Sequence, residues 1–529
     1  MLDSPVREQA LRLFPAYEVL FSTRWPWRLA LAIAFGLFAW QYLAGGLPRF
    51  WDPDSALYIL NAQGIVRGDD YGASLFVANP LNPIHPGSYP PGLPLLLAPV
   101  LWLQGLDLGS IALLTYACFC GLVVATFLVA RLALSPWASL GVTVLVAFNP
   151  LFGFVADGIY SEYPFMLAAY AAFICLEVAS AHRQATPRVA RLMAALGGLL
   201  VGYAVLVRTV GFLLLLAIAL AAAIGWLRGG RDWRRLDLAM IAIACGTASS
   251  VAVMWWMPHD TATYVSYVDL RSVDALLASM REGLRAYLTV VPEEMLSGRM
   301  LSTSGLEGAA LLSWVVAWPL FLLAALGFLR MVIRRSSVIE AFTLLYAAFI
   351  LVYPIRFEPS RYALPLLPLF VMYAVLGLDW LLARSRPRRS RIIRAVSATA
   401  VAIAYAPTLL GPAYLLPTPW VTSHDAEVAF DAIRSHTPRS ALLLASDPTS
   451  VALFADRRAT VWPAKPSDAE VLDHVRAAGV THLLLRPPAS PVDDADFERF
   501  MAANDAWLEP VWEGPGFALV AVRPVYETP

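Results

Sequence analysis

Four acidic residues lie directly beside long apolar segments, where a charge is costly and therefore often functional. Asp52 and Asp54 precede a segment with helical spacing of its apolar residues, and Asp157 and Glu162 lie between two apolar segments. A carboxylate in such a position can accept a proton as a general base. Asp54, and the pair formed by Ser161 and Glu162, also fit the alternative role of capping the helix that follows.

Three arginines occur at the ends of apolar segments, at Arg208, Arg356 and Arg361. The planar guanidinium stays charged and can hold a phosphate through two parallel hydrogen bonds, so each arginine is a candidate phosphate ligand. The alternative for any one of them is an ion pair with a neighbouring carboxylate such as Glu358. Carboxylates and arginines of this kind suit chemistry on a phosphate-bearing substrate.

The elements that must position these residues are membrane helices. Of 529 residues, 59% are hydrophobic and 15% are charged, which exceeds the apolar content of a soluble core. The 39 basic and 39 acidic residues balance, and basic residues are confined to short loops, so we expect no nucleic-acid partner. The four cysteines lie within apolar runs, and His85 and His259 are isolated, so neither disulfides nor a metal site is predicted.

Eleven apolar runs approach the roughly 20 residues needed to cross the bilayer core. Arginines concentrate in every second loop, which places those loops and the N-terminus in the cytoplasm. The segment 93–106 is too short to span and is predicted to be re-entrant or interfacial. The predicted spans are residues 29–47, 109–130, 138–156, 163–181, 192–207, 209–227, 237–257, 307–329, 338–354, 362–383 and 395–413.

This topology predicts three regions in a bacterial inner membrane protein. They are a cytoplasmic amphipathic segment 1–28, a membrane domain 29–413 with outer loops 48–108 and 258–305, and an extracytoplasmic tail 414–529. In the first outer loop, residues 56–68 are predicted to form a helix along the membrane interface. The tail alternates short β-type runs with helical stretches, which indicates an α/β domain. Its β-type runs are Leu442–Leu444, Ala459–Trp462, His482–Leu485 and Ala518–Val522, and Ser467 and Glu470 form a predicted capping box.

The order of these features resembles the GT-C superfamily of membrane glycosyltransferases. That group includes protein O-mannosyltransferases, aminoarabinose transferases and rhizobial lipopolysaccharide galacturonosyltransferases, and the resemblance runs from about residue 29 to 383. In that family an Asp, often followed by Glu, opens a helix of the first outer loop with a Tyr four residues on. Here Asp54, Ser55 and Tyr58 occupy this pattern, with Ser55 in place of the usual Glu. Further matches are Gly68, Tyr89-Pro90-Pro91, Ser161-Glu162, Leu206-Val207-Arg208 and Arg361-Tyr362.

The resemblance implies an all-α membrane bundle that moves a sugar from a polyprenyl-phosphate donor to a lipid, glycan or protein acceptor of the cell envelope. The active site would lie outside, between the first loop and the membrane. Asp54 would accept the acceptor proton in one inverting displacement, and Asp52 could substitute for the missing second carboxylate. Glu162 would position the acceptor or, in branches that use a divalent cation, help to hold it. The expected substrate contacts are Tyr58, Asp157, Arg208, Arg356, Arg361 and Tyr362.

Three alternatives stay open at this point. A different reaction of lipid-linked sugars, such as chain polymerisation, would use similar residues. A polytopic transporter is a second alternative, although the sequence shows no paired Gly- or Pro-broken spans in corresponding halves. A third is a catalytically silent relative that only binds a lipid sugar, and such a protein should tolerate the loss of Asp54.

Overall fold

A computed structural model describes residues 24–48, 50–77, 86–228, 232–260, 272–295, 307–335, 337–353, 359–383, 386–410, 420–461, 474–485, 504 and 506–523. The chain divides into two compact units. The bundle unit comprises Met1–Leu47, Leu108–Trp256 and Tyr264–Leu416. The sheet unit comprises Pro48–Asp107, Met257–Thr263 and Pro417–Pro529. The predicted boundaries at 28 and 413 stay a prediction, and the predicted N-terminal segment lies almost wholly outside the described residues.

Long apolar helices form the bundle unit. In the part of the chain that the structure describes, seven helices are long and apolar enough to cross a membrane, or eight if one bent pair counts as a single span. The chain is therefore a multi-pass membrane protein. The described helices of this unit are Arg24–Leu43, Leu108–Arg131, Pro136–Ala147, Pro150–Ala156, Glu162–His182, Pro187–Val207, Phe212–Arg228, Trp233–Trp256, Val273–Met295, Glu307–Arg334, Val338–Val352, Pro359–Ala363, Leu367–Leu382 and Pro387–Leu410.

A helix lies at each predicted span position, but the count of eleven spans stays a prediction. The predicted span 138–156 is broken into two helices that meet at 55°. Asn149 caps the second helix, because its side-chain oxygen accepts hydrogen bonds from the N–H groups of Leu151 and Phe152. Pro150 has no N–H to donate to the preceding turn, so the first helix ends before it. This break lies close in sequence to Asp157 and Glu162.

Small residues bring two of the membrane helices into close contact. A Cβ atom on Gly198 or Gly202 of the Pro187–Val207 helix would collide with the backbone of Ala242 or Gly246 on the Trp233–Trp256 helix. Such small-residue contacts let membrane helices approach closely and are a common source of packing energy in lipid. The packing fixes the helix whose last residue immediately precedes Arg208.

A five-stranded mixed sheet forms the core of the sheet unit. Its strand order is β2-β1-β3-β5-β4. β1 pairs in parallel with β2 and β3, whereas β5 pairs antiparallel with β3 and β4. The strands are β1 (Leu442–Ala445), β2 (Arg458–Val461), β3 (His482–Leu485), β4 (Leu508–Gly514) and β5 (Phe517–Val522), and the described helices of this unit are Pro53–Arg67, Gly92–Gln104, His424–His436 and Pro448–Ala455. A strand lies at each of the four predicted β-type runs, with Trp462 outside the described residues, and β4 is an additional strand. The predicted capping box at Ser467 and Glu470 lies outside the described residues.

The two faces of this sheet are covered by separate apolar clusters. Leu443 of β1 packs with Phe430 and Phe517 on one face, whereas its neighbour Leu444 packs with Trp507 and other residues on the opposite face. This division follows from the alternation of side chains along a strand. The two-sided core explains why the sequences of β1 and β3 are almost entirely apolar.

The segment predicted as the first outer loop belongs to the sheet unit. The N–H of Val77 donates to the carbonyl of Ala459 over 2.8 Å, and the N–H of Ala459 donates to the carbonyl of Leu75 over 2.9 Å. The loop therefore extends the sheet beside β2. The helix Pro53–Arg67 is buried on all sides from Ser55 to Ala62. The position of this helix relative to the membrane interface stays a prediction, and protein covers every face of its first half.

Candidate functional site

Asp52, and not Asp54, caps the helix of the first outer loop. Asp52 has extended backbone angles (φ −138°, ψ 171°), and its side chain accepts a hydrogen bond from the N–H of Ser55 over 3.1 Å. Pro53 occupies the first helical position, where its fixed φ and missing N–H are tolerated. The capping role predicted for Asp54 is therefore wrong, since the cap lies two residues earlier. Asp52 is accounted for by this structural role.

The side chain of Asp54 is held by Tyr89, a residue later in the same segment. It lies half-buried in the first helical turn, and its Oδ1 accepts a hydrogen bond of 2.5 Å from the hydroxyl of Tyr89. The Tyr89 ring meets the edge of Tyr58, with ring centroids 5.1 Å apart at 88°. Tyr58 lies one turn beyond Asp54 and is buried. The structure thus brings Asp54, Tyr58 and Tyr89 together, and the tyrosine pair fixes the direction in which the carboxylate points.

Glu162 forms the centre of a second cluster, in the bundle unit. Its side chain is fully buried, and its Oε1 lies 2.7 Å from Nη1 of Arg208 and 2.8 Å from Nε of Arg361. Both arginine side chains are only 16% exposed. Three separate elements supply these residues: Glu162 begins one membrane helix, Arg208 follows the end of the next, and Arg361 belongs to the short helix Pro359–Ala363.

Ser161 also takes part in this cluster. Its hydroxyl accepts a hydrogen bond of 3.2 Å from Nη1 of Arg208, and its side chain makes no capping hydrogen bond to the helix that follows. The capping interpretation of Ser161 and Glu162 is therefore wrong. Both side chains instead hold Arg208, because the guanidinium offers several donors in one plane.

Aromatic rings support both guanidinium groups. Cζ of Arg361 lies 4.3 Å from the ring centroid of Tyr160, and Cζ of Arg208 lies 5.6 Å from that of Tyr362. A ring face attracts a cation and restricts the rotamers of its long side chain. Tyr362 was predicted as a site residue, and its ring contacts Arg208 in this cluster. Tyr160 was not predicted, although it lies only two residues before Glu162.

Two buried polar atoms in and beside this cluster lack a hydrogen-bond partner among the described residues. Both arginines contact the same oxygen, Oε1 of Glu162. Among the described residues, the buried Oε2 of Glu162 and the buried hydroxyl of Tyr346 have no hydrogen-bond partner. Tyr346 lies close enough to Arg208 and Glu162 to interact electrostatically with both. Buried polar atoms are usually satisfied, and Oε2 of Glu162 can only accept, so a ligand with a hydrogen-bond donor would suit it.

The other residues named from the sequence are Asp157, Arg356 and the alternative ion-pair partner Glu358. Asp157 is buried at the end of the Pro150–Ala156 helix, in the turn that leads to the Glu162 cluster. Arg356 and Glu358 lie outside the described residues, so the predicted pairing of an arginine with Glu358 stays a prediction. Within the described ranges, no group of three or more His, Cys, Asp or Glu side chains is placed to hold a metal ion.

Comparison with known proteins supports the fold. No protein-family model and no curated protein sequence matches the chain. Among solved structures, the chain is similar to ArnT from Cupriavidus metallidurans bound to undecaprenyl phosphate, at 12% identity and a TM-score of 0.56 over 93% of this chain and 97% of that one. It is also similar to the oligosaccharyltransferase AglB from Archaeoglobus fulgidus in complex with an inhibitory peptide and a dolichol-phosphate, at 13% identity and a TM-score of 0.56 over 88% and 70%.

A third similar structure is the mycobacterial arabinofuranosyltransferase AftD, at 15% identity and a TM-score of 0.56. That likeness covers 95% of this chain and 40% of AftD. At such identities the likeness concerns the fold. The chain therefore shares the fold of these three structures, which agrees with the fold predicted from the order of motifs.

Proposed function

We propose that the chain is an inner-membrane glycosyltransferase that moves a sugar from a polyprenyl-phosphate donor to an acceptor of the cell envelope. The observation that carries the proposal is the buried pair of arginines on Glu162, set in a bundle with the fold of ArnT, AglB and AftD. The acceptor is a lipid, glycan or protein on the extracytoplasmic face. That face follows from the arginine-rich loops, which assign the N-terminus to the inside and the tail to the outside.

Arg208 and Arg361 supply the phosphate-binding part of the proposed reaction. When the glycosidic bond of a polyprenyl-phosphate sugar breaks, negative charge grows on the departing phosphate. Fixed donors in a water-poor site stabilise such charge without having to reorganise. Glu162 and the tyrosine faces hold both guanidinium groups in place before substrate arrives.

Asp54 supplies the base. The acceptor hydroxyl forms the new bond to the anomeric carbon, the bond from that carbon to the phosphate oxygen breaks, and the hydroxyl proton passes to Asp54. One displacement of this kind inverts the anomeric configuration. Asp54 is favoured over Asp52 because Asp52 is the helix cap, whereas Asp54 is oriented by Tyr89.

The structural neighbours support the class of donor. The ArnT structure contains undecaprenyl phosphate and the AglB structure a dolichol-phosphate, both of which are lipid phosphates. In this chain, the phosphate group of such a lipid would bind to Arg208 and Arg361. The proposal therefore extends to the donor class, and the sugar and the acceptor are left to experiment.

Binding of undecaprenyl phosphate to the purified full chain tests the phosphate-binding part. Arg208→Ala and Arg361→Ala should each weaken binding, and the Lys variants should weaken it less, since Lys keeps the charge but loses the planar fork. Arg191→Ala is the matched control, because Arg191 is 62% exposed and pairs with Asp237 on the surface. Wild-type affinity in both alanine variants would refute this part of the proposal.

A further inference from the structure

A cavity of about 140 Å³ lies in the sheet unit, apart from the residues already assigned. Trp420 and Phe517 line one part of it, and Ser446 and Asp447 line another. Ala445, Val451 and Leu484 complete the described wall. Its lining has both apolar and polar surface, which suits a small molecule with one apolar and one polar side.

The cavity lies where sheets of this type bind ligands. β1 ends at Ala445 and is followed at once by Ser446 and Asp447, while Leu484 lies at the end of β3. β1 and β3 are adjacent parallel strands, and the chain leaves β1 through the Pro448–Ala455 helix to β2 on the other side. The strand order therefore reverses between β1 and β3. Ligands of open α/β sheets bind beyond the carboxyl ends of the strands at this reversal.

The polar side of the cavity is an organised hydrogen-bond acceptor. Oδ1 of Asp447 accepts from the N–H of Ser450 (3.1 Å) and from the hydroxyl of Thr449 (2.8 Å), and Oδ2 accepts from the hydroxyl of Ser450 (2.6 Å). A carboxylate has about four lone-pair sites. The described residues use three of them, which leaves capacity for one donor from a ligand.

The apolar side is an aromatic surface. The Trp420 ring lies 5.8 Å from the ring of Phe430 and 5.9 Å from that of Phe517, centroid to centroid. None of the described residues that line the cavity is cationic. An aromatic wall beside an anionic acceptor suits a neutral molecule with one apolar face and hydroxyl groups at its edge. A sugar ring has this character, whereas a phosphate or carboxylate ligand would be repelled by Asp447.

The cavity is connected to the loop that carries Asp54. The Ser450 hydroxyl, which donates to Asp447, accepts a hydrogen bond of 2.8 Å from Nε1 of Trp51. The Trp51 ring lies 5.5 Å from Phe454, which stacks on Phe430 at 5.3 Å. Trp51 immediately precedes the helix cap Asp52. A ligand on Asp447 would therefore contact the hydrogen-bonded chain that holds the start of the Asp54 helix.

We infer that this cavity is a carbohydrate-binding site that takes one neutral sugar residue, and that its occupant belongs to the acceptor glycan. The assignment to an acceptor rests on the proposed function, whereas the binding of a sugar rests on the cavity itself. Hydrogen bonding through Asp447, Ser450 and Trp51 then links acceptor binding to the loop of the catalytic base.

Saturation-transfer NMR on the full chain in lipid nanodiscs tests the inference, since nanodiscs avoid detergents with sugar head groups. The probes are free D-galactose, D-glucose and L-arabinose, with D-galacturonate as the charged comparison. Wild type should transfer saturation to the ring protons of at least one neutral sugar and more weakly to galacturonate. Absence of transfer to every neutral probe in folded protein would overturn the inference.

Two variants and one control locate the binding. Trp420→Leu should abolish the signal, and Asp447→Asn should weaken binding about tenfold, as expected for a lost hydrogen bond to a charged group. Asn caps helices about as well as Asp, so this second variant should fold even if the first does not. Trp507→Leu, on the opposite face of the sheet, should bind like wild type. Wild-type binding by Asp447→Asn and by any folded Trp420→Leu would overturn the inference.

The outcome is independent of the proposed function. Sugar binding without any binding of undecaprenyl phosphate would refute the donor proposal and leave the carbohydrate site intact. Binding of undecaprenyl phosphate without any sugar signal would do the reverse.

Discussion

Replacement of Glu162 by Gln should destabilise the bundle unit strongly. The substitution keeps the shape of the side chain but removes the anion that lies 2.7 Å and 2.8 Å from two arginines, each only 16% exposed. Removal of one partner of a buried ion pair leaves uncompensated charge and typically costs about 3–5 kcal/mol. Glu162 serves two cations, so we expect a loss of about that size in the free energy of unfolding.

A double-mutant cycle tests whether the loss of stability comes from the ion pair between Glu162 and Arg361. Arg361→Gln alone leaves Glu162 paired with Arg208, so its cost should be smaller, about 1–3 kcal/mol. The double variant Glu162→Gln/Arg361→Gln should lose less than the sum of the two single changes, by an amount on the order of 0.5–3 kcal/mol.

The assay is equilibrium unfolding of the purified chain in mixed micelles. Glu509→Gln is the control, because Glu509 is 59% exposed and pairs with Arg523 at the surface. Its cost should stay within about 0.5 kcal/mol. Wild-type stability of Glu162→Gln, or additive single changes, would show that the carboxylate does not hold the arginines together.

Three further predictions concern other residues. Asp54→Asn should lower turnover by about a hundredfold to ten-thousandfold with unchanged thermal stability. Asp52→Ala should instead cost about 1 kcal/mol of stability, because the helix loses its cap. The reverse pattern would exchange the roles of the two residues. The hydrogen bond from Arg183 lowers the pKa of Asp232, so their pairing stabilises the fold above the ordinary Asp pKa and is lost as pH falls through the lower folded-state value. Because Arg183 also donates to the carbonyl of Ser180, the difference in melting temperature between wild type and Arg183→Gln should shrink in acid without vanishing. A difference that does not change with pH would contradict this. Reporter fusions after residue 420 should report an extracytoplasmic tail, and a fusion active only in the cytoplasm would refute the topology.

Local patterns in the sequence predicted the helices and strands better than the contacts between them. Apolar length and the arginine distribution predicted a helix at each span position, because the bilayer imposes both. The cap was misplaced from Asp52 to Asp54, since a Pro at the first helical position makes either residue a plausible start. Sequence also indicated arginines near carboxylates, but only tertiary structure shows that Arg208 and Arg361 share Glu162.

In the sheet unit, too, the sequence predicted the apolar strands but not the long-range contacts. The buried strands β1 and β3, with the apolar runs Leu442–Ala445 and Leu483–Leu485, were predicted. Strand β4 contains Glu509 and Glu513, and three of its seven residues are exposed at the sheet edge. Such an edge strand lacks the strong apolar signal of a central one. The contact of Trp51 with Ser450 joins residues about four hundred positions apart, and no local pattern could predict it.

The most direct test of the central claim follows the donor lipid. Polyprenyl-phosphate sugars are extracted from membranes of cells that lack the gene and are incubated with the purified chain in nanodiscs and with envelope glycans as acceptor. Mass spectrometry should show one lipid-linked sugar disappearing as free polyprenyl phosphate forms, with wild type but not with Asp54→Asn. If no lipid-linked sugar declines with wild type, or if Asp54→Asn consumes it equally, the proposed sugar transfer by Asp54 is contradicted.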